Sequence, residues 1–343
     1  MPAEHVPDLS EPHLISVVVP VYAGERTLPG LVAELLPMTE RFWTHDGHAA
    51  QVCEIVLVHD HGPDDSARVL RELAQAHDLV RPVWLSRNYG QHAATLAGMA
   101  SSGGDWIVTL DEDGQHDPAD IPRLLDRAMG GRVGVVYASP VNGRQHGGLR
   151  NLASTGSKRL VDLLVPGGGA GIYHSYRLML GEVGRGVAAY AGAGVYLDVA
   201  LGWVAGPAVT CPVTLRAEGA RPSGYGLRSL LSHFWRLALT SGTRMLRAVA
   251  VVGALFALLG LLVAVLLVVN KFLGGDIQPG WTSVMVVVLV CTGAIMLSLG
   301  IVAEYLGVAV NLAMGKPLYL ISGDPETGPL GRPPARHPAE DQA

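Results

Sequence analysis

Two carboxylates one residue apart, Asp111 and Asp113, directly follow the apolar run 106–110. In an extended segment alternate side chains share a face, so this spacing aims both at one place and turns Glu112 away. Hard oxygen donors of this kind suit Mg²⁺ or Mn²⁺, which keep part of their coordination for phosphate oxygens. The competing reading is an acidic turn that caps the next helix. Three more polar groupings deserve the same test. His59-Asp60 closes the run 54–58 and precedes His61-Gly62-Pro63-Asp64-Asp65. A carboxylate at 60 suits a base or ribose, whereas Asp64 or Asp65 is placed to cap the following helix. Arg87 opens the stretch 87–92 and has the charge for a phosphate, with Asn88 and Gly90 supplying a turn. A looser basic set comprises Arg144, Arg150, Lys158 and Arg159, then Arg177. Guanidinium groups bind phosphate oxygens in paired hydrogen bonds, although a scattered set also fits a solvated face.

Chemistry at these points needs strands that end there. The sequence predicts strands at 14–22, 54–60, 80–86, 105–113 and 133–139, with helices at 27–41, 65–77, 92–100 and 118–129 between them. Strands alternating with helices imply right-handed βαβ units and a mostly parallel sheet. Ligands then bind beyond the carboxyl ends of the strands, where the four groupings fall. The first strand is followed by Val-Pro-Val-Tyr-Ala-Gly rather than G-x-G-x-x-G, and no G-x-x-x-x-G-K-[ST] occurs. Dinucleotide oxidoreductases and P-loop enzymes therefore lack support.

The 343 residues carry 49% hydrophobic but only 16% charged side chains, against about 25% charged in ordinary soluble domains. That balance excludes a disordered chain. A pI of about 6.2 argues against a nucleic-acid binder. Cys53, Cys211 and Cys291 are too scattered for a disulfide framework or zinc site. The polar, acidic start (1–12) does not read as a signal peptide. The apolar excess sits in two uncharged runs, 248–269 and 281–303, each long enough to cross a bilayer as a helix. Arg236, Arg244 and Arg247 precede the pair and Lys316 follows it, while the connection holds Lys271 and Asp276. This bias places both termini and the catalytic domain in the cytoplasm. Residues 227–247 read as an interfacial amphipathic helix, or one packed on the soluble domain. Residues 304–321 are juxtamembrane, and 322–343, rich in Pro, Gly and charge, read as disordered.

In order, VVVPVY-ERTL, EIVLVHDHGPDDS, LSRNYGQHAATLAGM, TLDEDGQHDPADIP, SYRLM, two apolar spans and AEYLG–KPLYL resemble the family 2 glycosyltransferases that load a sugar onto a polyprenyl phosphate. Dolichol-phosphate mannose synthases and bacterial undecaprenyl-phosphate transferases belong there. The resemblance covers about 14–321. It implies an α/β fold: a Rossmann-like GT-A catalytic domain over 14–226, preceded by a tail (1–13) and followed by a two-helix transmembrane hairpin. It also implies inverting transfer from a nucleotide-diphosphate sugar. Pro20, Tyr22, Glu25 and Asp60 would line the nucleotide pocket with Arg87, and Gln115 would lie beside the sugar. Asp111 and Asp113 would hold the metal, and Arg177 would sit near the diphosphate. Arg144, Arg150, Lys158 and Ser175 would serve the acceptor phosphate. The chain departs from the pattern at His59, where many members have Asp, at Ser175, where many bacterial members have Asp, and in the stretch 166–174. Ser175 resembles the mannose-synthase branch. A phosphomonoester acceptor is already anionic near neutral pH, so it needs positioning more than a general base. A processive polysaccharide synthase would show Q-x-x-R-W, where this chain has only GLRSLLSHFWR; a catalytically silent membrane scaffold is the other alternative. Small residues in the spans admit a homo-oligomer.

Overall fold

The computed structural model describes residues 11–142, 173–192, 197–216, 280–315 and 317–328, with isolated positions between 253 and 273 and at 331. Arg144, Arg150, Lys158, Arg159, the stretch 166–172, the segment 227–247 and most of the span 248–269 lie outside the described residues.

The first strand, β1 (His13–Val21), is apolar without alternation because it is covered on both faces. Val17 and Val19 enter one core cluster and Val18 the other, all fully buried. That is the signature of an interior parallel strand, and each such side chain contributes roughly 1.5–3 kcal/mol of burial free energy. Helices α1 (Leu28–Leu35), α2 (Ser66–Ala76) and α4 (Ile121–Gly131) pack on the first face. Helices α3 (Gln91–Ala100), α5 (Gly181–Tyr190) and α6 (Leu197–Val204) cover the second.

Between these layers the described strands form one nine-stranded mixed sheet. The strands after β1 are β2 (Phe42–Trp43), β3 (Ala49–His59), β4 (Val80–Leu85), β5 (Trp106–Thr109), β6 (Val135–Pro140), β7 (Arg177–Leu180), β8 (Val209–Val213) and β9 (Ile321–Ser322). Their order is β8-β6-β7-β5-β1-β3-β4-β9, with β2 paired antiparallel to β3. The centre, β4-β3-β1-β5, is parallel. Strand β7 breaks the parallel run by pairing antiparallel to both β5 and β6. Because β1 has β3 on one side and β5 on the other, the topology reverses there. This is the point at which open α/β sheets bind ligands.

Three expectations need correction. The acidic segment is not extended: β5 stops at Thr109, and 112–114 form a turn. The second strand begins at Ala49 rather than 54, recruited through the β2–β3 pairing. The tail expected to be disordered from 322 starts with ordered chain: β9 pairs antiparallel with β4, Trp84 opposite Ser322 and Leu85 opposite Ile321.

Helix α7 (Trp281–Ala313) has 33 residues, a length of about 50 Å at 1.5 Å per residue. Its stretch Val290–Gly307 is long and apolar enough to cross a membrane, and only 6% of it is buried inside the protein. It is the one such helix among the described residues, and the helix that contains it starts at Trp281, where the expected span 281–303 begins.

Candidate active site

Four loops meet at the carboxyl ends of β1, β3, β4 and β5. Glu112 draws the loop after β1 onto the acidic turn: its carboxylate accepts from Tyr22 N at 2.8 Å and Ala23 N at 2.9 Å. The loops after β1 and β3 approach so closely that a side chain at Gly62 would lie 1.2 Å from the Tyr22 carbonyl oxygen. Gly24 N donates to Ser66 Oγ and Glu25 N to Asp64, while Asp65 N donates to Glu25. Asp60 is buried and accepts from Tyr89 N at 2.7 Å and Gly90 N at 2.8 Å, so it shapes the loop after β4. Burial pushes its pKa up against those two bonds.

Asp111 accepts from Gln91 Nε2 and from Ser175 Oγ, both at 2.6 Å. Asp113 accepts from Gln115 N at 3.0 Å and Gln115 Nε2 at 2.9 Å. These partners are neutral. His116 is buried, and its Nδ1 accepts from Asp111 N at 3.0 Å, which leaves the proton of the neutral ring on Nε2, 3.8 Å from Asp111 Oδ2. Burial lowers its pKa. Burial, aided by His116, takes His174 down to about 4. Both rings are neutral at pH 7 and bring no positive charge to the carboxylates. Two half-exposed carboxylates on one turn, hydrogen-bonded only to neutral donors among the described residues, fit a hard divalent cation that takes its remaining ligands from phosphates and water. No cluster of three or more His, Cys, Asp or Glu forms a closed metal cage among the described residues.

The sequence-predicted residues divide. Pro20, Tyr22, Glu25, Asp60, Asp111, Asp113, Gln115 and Ser175 lie on the segments just described. Arg87 is exposed at the same edge and stacks 4.2 Å from the Tyr89 ring centre. Arg177 differs from expectation. It is 3% exposed and paired with the fully buried carboxylate of Asp198, and its Nε donates to Thr109 Oγ1. A buried aspartate needs a partner, and its attraction draws the guanidinium inward.

Residues 16–183 match the glycosyl transferase family 2 profile. An undecaprenyl-phosphate 4-deoxy-4-formamido-L-arabinose transferase of Pseudomonas aeruginosa (strain LESB58) is 34% identical over 335 residues, covering 94% of this chain and 93% of its own. This chain belongs to glycosyl transferase family 2. The same-named enzyme of Klebsiella pneumoniae (strain 342) is 33% identical, covering 90% and 92%. Among solved structures, glucosyl-3-phosphoglycerate synthase from Mycobacterium tuberculosis in complex with phosphoglyceric acid is 19% identical, with a TM-score of 0.46 over 67% of this chain and 79% of that one. Family membership makes the protein a glycosyltransferase with a GT-A-like fold, here the mixed α/β sheet described above.

Sequence reasoning missed three positioning residues of this glycosyltransferase: Glu112, His116 and Gln91. An extended segment would turn Glu112 away from the site; its place in a D-E-D triplet is the available signal. His116 and Gln91 carry no local signal, since their partners are brought to them by the sheet.

Proposed function

We propose that this glycosyltransferase moves a sugar from a nucleotide-diphosphate sugar to a polyprenyl phosphate held in the bilayer. The observation that carries the reading is the Asp111–Asp113 turn, hydrogen-bonded among the described residues only to neutral groups, at the point where the sheet topology reverses. The names of its relatives and the long, unburied helix α7 supply the lipid acceptor. In this reading α7 and the run 248–269 form a transmembrane hairpin, with the catalytic domain and both termini cytoplasmic and 227–247 on the membrane surface.

Asp111 and Asp113 would hold Mg²⁺ or Mn²⁺. When bound, the cation neutralises charge on the leaving diphosphate. The chain's own residues do the rest. Gln91 and Ser175 fix the Asp111 carboxylate, and Gln115 fixes Asp113. Glu112 and Asp60 set the loops in which Tyr22, Glu25 and Arg87 flank the nucleotide, with Pro20 beneath them. A phosphate oxygen of the lipid attacks the anomeric carbon, the new C–O bond forms as the bond to the diphosphate breaks, and the nucleoside diphosphate leaves with the electron pair. The configuration inverts. No proton need be removed from a phosphomonoester that is already ionised. Two anionic substrates repel in a site of lowered dielectric, and Arg144, Arg150 and Lys158 are the residues proposed to hold the acceptor phosphate.

Membranes carrying the protein, incubated with labelled UDP-, GDP- and dTDP-sugars, should move label into chloroform-soluble lipid only when a divalent metal is present. No transfer from any donor would favour the silent scaffold, and label in polymer would favour a processive synthase.

A further inference from the structure

Beyond helix α7 the chain returns to the catalytic sheet. Leu318 and Tyr319 pack against the apolar cluster on the α3 side. Ser86 N donates to Leu320 O at 2.9 Å, and β9 then adds two residues to the edge of β4. A ladder this short does not hold an edge strand by itself. Arg71, on α2, does the fastening. Its Nε and Nη2 donate to the two Asp324 oxygens at 2.8 and 2.7 Å, and its Nη1 lies 2.7 Å from Glu326. The guanidinium carbon sits 5.0 Å from the ring centre of Trp84, whose ring is 5.1 Å from His59. The Arg71 and Asp324 side chains are 17% and 12% exposed, so removing Arg71 leaves Asp324 charged in a shielded place, and removing Asp324 leaves Arg71 with Glu326 alone.

We propose that residues 317–328 form a strap that holds the donor-side loop 86–90 in place, and that Arg71 is the positioning residue that locks it. The loop is pinned at both ends: Leu320 O takes its first amide, at Ser86, and Asp60 takes the amides of Tyr89 and Gly90. The strap also ties the loop to the bilayer. Seven residues separate Ala313 from Ile321, eight steps along the chain, so the end of α7 lies within about 28 Å of the β4 edge. A segment that follows the membrane helix thereby sets the geometry of the site that binds the soluble substrate. The functional half of this inference rests on the reading of loop 86–90 as part of the donor site.

The test uses the full chain in detergent micelles, with Arg71→Ala, Asp324→Ala, the two together, and the swap Arg71→Asp with Asp324→Arg. Amide exchange by mass spectrometry should rise about tenfold or more in both 317–328 and 86–91 in each single variant. The double variant should be no worse than either single one, and the swap should restore protection. Donor KM should rise about 5–20-fold, with kcat changed by less than about twofold. Should Arg71→Ala fail to fold, Asp324→Asn, which keeps the shape and removes the charge, is read in the same way. Faster exchange in 317–328 with wild-type exchange in 86–91 would overturn the strap. Absence of transfer from every donor would overturn the proposed function instead, and the exchange comparison would still decide the strap.

Discussion

The two ends of the central sheet treat acid groups in opposite ways. On the amino-terminal side Glu54 accepts from Ser16 Oγ at 2.6 Å and Gly103 N at 2.5 Å and is paired with Arg81. Desolvation alone would raise its pKa, but these bonds outweigh it and the net shift is downward. On the carboxyl side Asp111 and Asp113 have neutral partners and two neutral histidines nearby. The first site balances its charge within the chain and is structural. The second leaves two partly exposed carboxylates without a positive partner among the described residues, a donor set that suits an external cation. Residue type is nearly the same at both ends, so the difference lies in the partners that the described residues supply.

Breaking the carboxyl end should have the largest effect. Asp113→Ala is expected to lower sugar transfer about 10³-fold, the size of a lost transition-state electrostatic contact, while circular dichroism melts stay close to wild type; activity retained at saturating metal would remove Asp113 from the metal site. Glu54→Ala should do the reverse. Stability falls by roughly 2–3 kcal/mol because buried donors lose their acceptor, while transfer per folded molecule is kept. Its linkage has a definite sign: a depressed carboxylate contributes above its unfolded pKa near 4.5 and loses that contribution as the pH falls through the folded value. Thermal melts below pH 4.5 should therefore bring wild type and Glu54→Ala together.

His59 sharpens the comparison from the side of bases. It is 7% exposed, its Nδ1 lacks a partner among the described residues, and burial, with help from His61 and Arg71, takes its pKa from 6.5 to about 4. Between those values the unfolded chain takes up a proton that the native ring refuses, so stability falls as the pH drops through that window and is unaffected above it. His59→Phe should flatten the decline by roughly 3 kcal/mol, read from melts between pH 7 and pH 4. The smallest effect belongs to Glu112→Gln. A neutral acceptor for the Tyr22 and Ala23 amides should raise donor KM about tenfold with little change in kcat; an unchanged KM would separate the loop after β1 from donor binding.

Much of this was legible in the chain. Uninterrupted apolar runs such as Val17–Val19 and Ile55–Val58 can only be strands covered on both faces, and they fix where the polar groupings emerge. That is why Asp60, Arg87 and Asp111 were found beside one another. The geometry of the acidic turn was not legible, because the end of a strand is set by its neighbour: β7 pairs with β5 only from Thr109 back to Trp106. The inward turn of Arg177 was hidden for a similar reason, since Asp198 lies 21 residues away in sequence. The order at 322–328 is not visible in a composition rich in Pro, Gly and charge, because the groups that receive this stretch lie on α2 and β4.

The sequence by itself determined the layered α/β plan, the carboxylate pair and the apolar spans, since periodicity and local chemistry are properties of consecutive residues. Tertiary structure alone decided which charges are balanced, which loops are pinned and where the chain returns after α7. Those outcomes depend on partners distant in sequence, and the burial that makes a pairing matter does not exist until the layers close.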